Sequence, residues 1–277
     1  TGEGLDLEVY APGPILAVVA DSSFKDNLGN GLQMILDSDF LAVGLVGPDA
    51  ALFRSVNMLL GGFLPPQMRS FSGSGTVAAN GNGGEGMLLI TDADNIALSG
   101  LFDVRASGNT QNGIVSIVNS DSGLAASLAM PSSDLLDVMD FGLGALSSLL
   151  GGPAMPNLPN AAVQGPIRVN GNGGDGFVSI VDGPIALSAK WGIQANGNNG
   201  SGIESIVLGD NVGLSLHGGI EASYNNGGGI LSIVEGDDAA IGVVLDTIAN
   251  HNDGAGIQMI QQSDFGIAIG LVSSVRS

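Results

Sequence analysis

Asp210, Asp237 and Asp264 stand 27 residues apart, and Asp39, Asp94 and Asp121 hold the same place relative to a preceding glycine. If such residues stack on neighbouring strands, their carboxylates form a row with a step of about 4.8 Å. Like charges that close repel unless they are bonded or neutralised. Each Asp can accept backbone N–H groups in its own turn. The alternative is a divalent cation, Ca2+ suiting all-oxygen ligands, bound along Asp210, Asp237 and Asp264. The calcium pattern G-G-x-G-x-D is approached only once, at "GNGGDGF" (171–177). No other cofactor is expected.

Other reactive groups are few. His217 and His251 lie 34 residues apart with no third ligand at metal spacing, so they read as solvated turn histidines. Lys190 beside Trp191 is the one pair suited to contacting a sugar. Arg105 and Arg168 share a column with Gln194 and Glu221, eight residues before their glycines, and read as solvent-facing strand positions. There is no cysteine, hence no thiolate chemistry. No glycine-rich loop is followed by Lys-Ser/Thr or a helix, which excludes a phosphate-binding loop. Threonines are scarce and out of column, against an ice-binding face.

A formal charge of −20, with seven Lys plus Arg, repels phosphate backbones and anionic membranes, so no nucleic acid is expected as a partner. No apolar run reaches the roughly eighteen residues of a membrane span. The chain begins at Thr1 rather than Met, from which a removed leader and an extracellular or cell-surface location are expected.

These residues are carried by a repeat. Gly31, Gly86, Gly113, Gly176, Gly202, Gly229 and Gly256 each precede a short apolar stretch, and the later ones are spaced at 26 or 27 residues apart from one long interval. Four residues before each glycine is an Asn: Asn27, Asn82, Asn109, Asn172, Asn198, Asn225 and Asn252. Four residues after it is an Ile: Ile35, Ile90, Ile117, Ile180, Ile206, Ile233 and Ile260. Within a repeat, pieces such as "GIESIV", "VGLSL" and "GIEA" are too short for helices and suit strands. One repeat cannot bury its apolar positions alone, but stacked repeats place Ile on Ile in a continuous core. The Asn column then forms an amide ladder from rung to rung. The expected fold is a single all-β parallel β-helix over residues 1–277, with three strands per rung, about seven full rungs and a degenerate N-terminal rung.

The G-[ILMF]-x-x-I column and the Asn ladder resemble right-handed parallel β-helix proteins of the pectin-lyase-like architecture. That resemblance implies the coil and its rung size. It also raises polysaccharide lyase or hydrolase activity, which in such enzymes relies on Arg or Lys beside calcium-binding carboxylates. The scarcity of basic and aromatic residues here, aromatics being 4% of the chain, argues against an enzyme.

Two intervals are too long for one rung. The extra segments, at about 48–70 and 131–160, start with Pro and Asp and run through "LLGG" into prolines, which are helix start and stop signals. Leu135, Val138, Met139, Leu146, Leu149 and Leu150 form a helical stripe. The expectation is two helices side by side on one flank, since two rungs match the spacing of packed helices.

Both ends read as open strand edges. Ser277 lies 21 residues past Gly256 and Gly4 four residues past the start, so a second copy placed after the first continues the count almost in register. This predicts head-to-tail self-association, with Leu5, Leu7 and Val9 meeting Ile267, Ile269 and Leu271. The expected role is an extracellular structural filament subunit. The alternative is an adhesin-type solenoid holding extracellular polysaccharide or a protein.

Overall fold

The structure, a computed structural model, describes residues 2–47, 76–131, 166–273 and 275. The expected helical insertions and their side-by-side packing lie outside the described residues. Among the described residues every regular element is a strand.

The apolar stretch after each glycine becomes the first strand of a rung: β1 (Leu5–Ala11), β4 (Leu32–Ser38), β7 (Met87–Ala93), β10 (Ile114–Ser120), the start of β13 (Phe177–Trp191), the start of β15 (Ile203–Gly218), β16 (Ile230–Gly236) and β18 (Ile257–Gln262). They pair in parallel and in register, Leu32 on Met87, Met87 on Ile114, and so on to Ile230 on Ile257. The second strands stack likewise: β2 (Ile15–Val19), β5 (Leu41–Val46), β8 (Ile96–Leu101), β11 (Leu124–Ala129), the ends of β13 and β15, then β17 (Ala239–Leu245) and β19 (Ile267–Ser273). A narrower third sheet holds β3 (Ser22–Lys25), β6 (Val77–Asn80), β9 (Val104–Arg105), β12 (Ile167–Arg168) and β14 (Ile193–Gln194), continued by the bridges Gln194–Glu221 and Glu221–Ile248. The chain is a β-solenoid of about eight turns. Its N-terminal rung is fully formed, with Leu5 paired to Leu32.

Alternation along a strand sends successive side chains to opposite faces, and here it corrects one expectation. The first, third and fifth residues after each glycine point inward, as in buried Leu32, Met34 and Leu36. The invariant Ile is the fourth. Ile206 does lie directly on Ile233, but the Ile column runs along the outer face, half-buried, and ends at exposed Ile260. The core is instead built from Leu32, Met87, Ile114, Phe177, Ile203 and Ile230 on the first sheet together with a column of small residues, Ala42, Ala97, Ala125, Ala186 and Ala240, on the second. Burying each large member contributes about 1.5–3 kcal/mol. A second apolar cluster, around Val43, Leu45, Phe102, Met130, Ala189 and Leu216, lies on the other side of the second sheet.

The Asn ladder is inward, as expected. Asn82, Asn109, Asn172, Asn198 and Asn225 are each no more than 2% exposed. Every Oδ1 accepts both the backbone N–H and the Nδ2 of the preceding rung's Asn; for Asn172 accepting from Asn109 both distances are 3.1 Å. The anchor glycines are required by this stacking. A Cβ on Gly202 would stand 2.7 Å from the Gly229 carbonyl oxygen and 2.8 Å from Asn225 Nδ2 of the next rung.

Candidate functional site

Two places depart from the plain repeat: a polar seam inside the coil and the C-terminal end. The seam consists of serines facing one another across the interior, Ser116, Ser179, Ser205 and Ser232 from the first sheet and Ser99, Ser127, Ser188 and Ser215 from the second, none more than 1% exposed. Stacked serines can satisfy one another, and Ser116 Oγ donates to Ser99 Oγ at 3.2 Å while Ser232 Oγ donates to Ser215 Oγ at 3.2 Å.

Into this seam point Lys190 and His217, register partners on β13 and β15. Both are completely buried. Lys190 Nζ donates to Ser188 Oγ and, at 2.9 Å, to Ser205 Oγ, and sits 5.5 Å from the centre of the Phe177 ring. His217 Nε2 shares a 2.9 Å hydrogen bond with Ser215 Oγ. His217 Nδ1 and Ser179 Oγ are buried without a hydrogen-bond partner. The expectation of a solvated His217 is therefore overturned: its strand parity turns it inward. The Lys190–Trp191 pair is also broken, because adjacent strand residues face opposite ways. Trp191 lies on the outer side, packed against the second cluster, its indole occupying the space that a Cβ on Gly218 would need.

Burial alone pushes the Lys190 amine down to about 7. Burial, and then the Lys190 charge, holds the His217 imidazole well below its usual range. Desolvation disfavours the charged form of either base. The network is thus a set of weakly basic and hydroxyl groups enclosed in the interior. Its signal in the sequence was the phrasing "SAKW" and "SLHG", where a basic residue stands two places after an inward serine.

The acidic column lies elsewhere. Asp39, Asp94, Asp121, Asp210, Asp237 and Asp264 are all exposed at the corner between first and second strands. Among the described residues no three of His, Cys, Asp or Glu come together in a way that could hold a metal ion, so the geometry lends the Ca2+ reading no support. Arg105 and Arg168 stack on one another and face solvent.

At the C-terminal end the buried columns surface. Phe265 is 88% exposed, and every residue of β19 is exposed, including Ile267, Ile269 and Leu271. Register places Ile269 and Leu271 in the columns of Ile241 and Val243, away from the core, while Ala268, Gly270 and Val272 continue the inward columns. Ala249, Gly256, Ile257, Met259, Val272 and Val275 line an open hollow of about 280 Å3 there. At the opposite end, Leu5, Leu7 and Val9 face inward and are half-buried. Register puts Ile257 and Met259 in the inward columns that begin at Leu5 and Leu7, whereas Ile267, Ile269 and Leu271 lie in outward columns.

Comparison of the chain with known protein families, with curated proteins and with solved structures returns no match.

Proposed function

We propose that the protein is a structural β-solenoid whose copies stack end to end, the C-terminal rung of one against the N-terminal rung of the next, outside the cell. The observation that supports this most is the surfacing at β18 and β19 of inward columns that are buried in the middle of the coil, half-buried at Ile257 and Met259 and exposed at Ala268 and Val272. Unpaired parallel strands with apolar side chains are templates for another chain. A contact between unlike ends does not close on itself and propagates as a filament. The stacking would repeat the register already used seven times within the chain, and the high negative charge keeps such rods from clumping sideways. Among the described residues the two bases whose ionisation is pushed furthest, Lys190 and His217, are fully enclosed, and a mechanical role is proposed ahead of a catalytic one.

The test is size-exclusion chromatography with negative-stain microscopy of the full chain and of Leu7→Lys and Val272→Lys variants. Rods in the parent and 27.6 kDa particles with unchanged circular dichroism in either variant support end-to-end stacking. A parent that stays monodisperse at that mass at high protein concentration overturns it.

A further inference from the structure

The turn that carries the Asn ladder has two outward columns, one on each side of the buried Asn. The first comprises Asp26, Gly81, Gly108, Gly171, Gly197, Tyr224 and His251, all with left-handed backbone, φ lying between 54° and 68° and at 59° and 54° for Tyr224 and His251. Glycine adopts that conformation freely, whereas an L side chain there costs about 1–2 kcal/mol. Four rungs use glycine. The last two place aromatic rings there instead, so the fold bears that cost twice in succession.

The two rings stack at 4.8 Å between centroids and 7° between planes. One ring per rung at that separation sets the ring normals along the solenoid axis. His251 covers one face of Tyr224, which is 63% exposed. The other face looks back over Gly197, and a Cβ built on Gly197, Gly171 or Gly108 would meet nothing within 4 Å. The result is an open strip of three rungs along the turn, lined by glycine and bounded at one end by an aromatic face. Beside it, in the second outward column, stand Thr110, Gly173, Asn199 and Asn226, and Asn226 Nδ2 donates to Asn199 Oδ1 at 2.9 Å on the exposed surface.

From this geometry we infer a binding site for a neutral pyranose, seated over Gly197 with its C–H face on the Tyr224 ring and its hydroxyls at Asn199 and Asn226. A flat amphipathic ring beside amides that both donate and accept matches a sugar, whose faces are apolar and whose rim is hydroxylated. The formal charge of −20 selects against polyanionic sugars. The site is on the turn edge and does not depend on self-association.

The experiment titrates the full chain by calorimetry with neutral hexasaccharides of glucose, mannose and N-acetylglucosamine, and in a separate arm with tetramethylammonium. Saturable binding of at least one hexasaccharide, weakened at least ten-fold by Tyr224→Ala, is expected. Gly197→Asn, which tolerates the left-handed backbone and occupies the space beside the Tyr224 ring, should weaken it as much with unchanged circular dichroism. The inference is overturned if no hexasaccharide binds, if both variants bind as the parent does, or if only tetramethylammonium binds, which would make Tyr224 a cation contact instead.

Discussion

Lys190 sits directly against His217 on the neighbouring rung, both side chains fully enclosed in the solenoid, with serine hydroxyls as their hydrogen-bond partners. The carboxylates on the same rungs, Asp182, Glu204, Asp210 and Glu221, are exposed or half-buried on the outer side. Two bases are thus held where neither can be neutralised by an acid.

Stability should therefore fall with acid in two stages. The folded Lys190 has its amine near 7 against 10.5 when unfolded, so folding is unpenalised above about 10.5, loses stability as pH falls toward 7, and changes no further below that on its account. The shift corresponds to a loss on the order of 5 kcal/mol. His217 adds a second loss beginning as pH falls through 6.5. Thermal melts of Lys190→Met should exceed the parent at pH 7 and converge with it toward pH 10.5; equal melting at both values would refute the account.

Asn172→Ala should destabilise the coil by about 2–4 kcal/mol in urea unfolding. It removes the acceptor of the Asn109 N–H and Nδ2 and the donor to Asn198 and Ala106, leaving buried groups unpaired. Asn27→Ala, at the ladder's end, should cost less than Asn172→Ala, because only Asn82 Oδ1 loses a partner.

Gly202→Ala should cost about 3 kcal/mol, since its Cβ would collide with backbone and amide atoms of the next rung. Gly13→Ala, which meets nothing within 4 Å, should stay within about 0.5 kcal/mol of the parent. A smaller cost at Gly202 than at Gly13 in the same urea assay would contradict the stacking argument.

End-to-end association should strengthen with salt. Copies of like charge repel across a junction, and raising ionic strength from about 0.01 M to about 1 M shortens the screening length from roughly 30 Å to 3 Å. Light scattering should report longer assemblies at the higher value. Shorter ones would point to ion pairing at the junction rather than apolar contact.

The coil itself was legible because its evidence is repetition. Asn172 and Asn198 can be matched without knowing where either points, and the matched residues proved to be bonded neighbours. Much of the chemistry was not legible. Ile206 and Ser205 are adjacent, and hydrophobicity alone assigns Ile206 to the interior; the coil buries Ser205 and turns Ile206 outward. The same parity hides Lys190 and His217, and it separates Lys190 from Trp191. Tyr224 and His251 gave no warning of being partners, since a 27-residue separation becomes contact only after stacking.

What the chain's order of residues determined by itself was the rung: its length, its Asn column and its tight glycines, because a repeated spacing is the same whichever way the ribbon curls. What only the folded coil decided was inside and outside. A strand has two faces equivalent by spacing, and the corner at which the chain turns chooses which one closes on the axis. That choice enclosed the serines with Lys190 and His217 and left the invariant isoleucine column on the outer face.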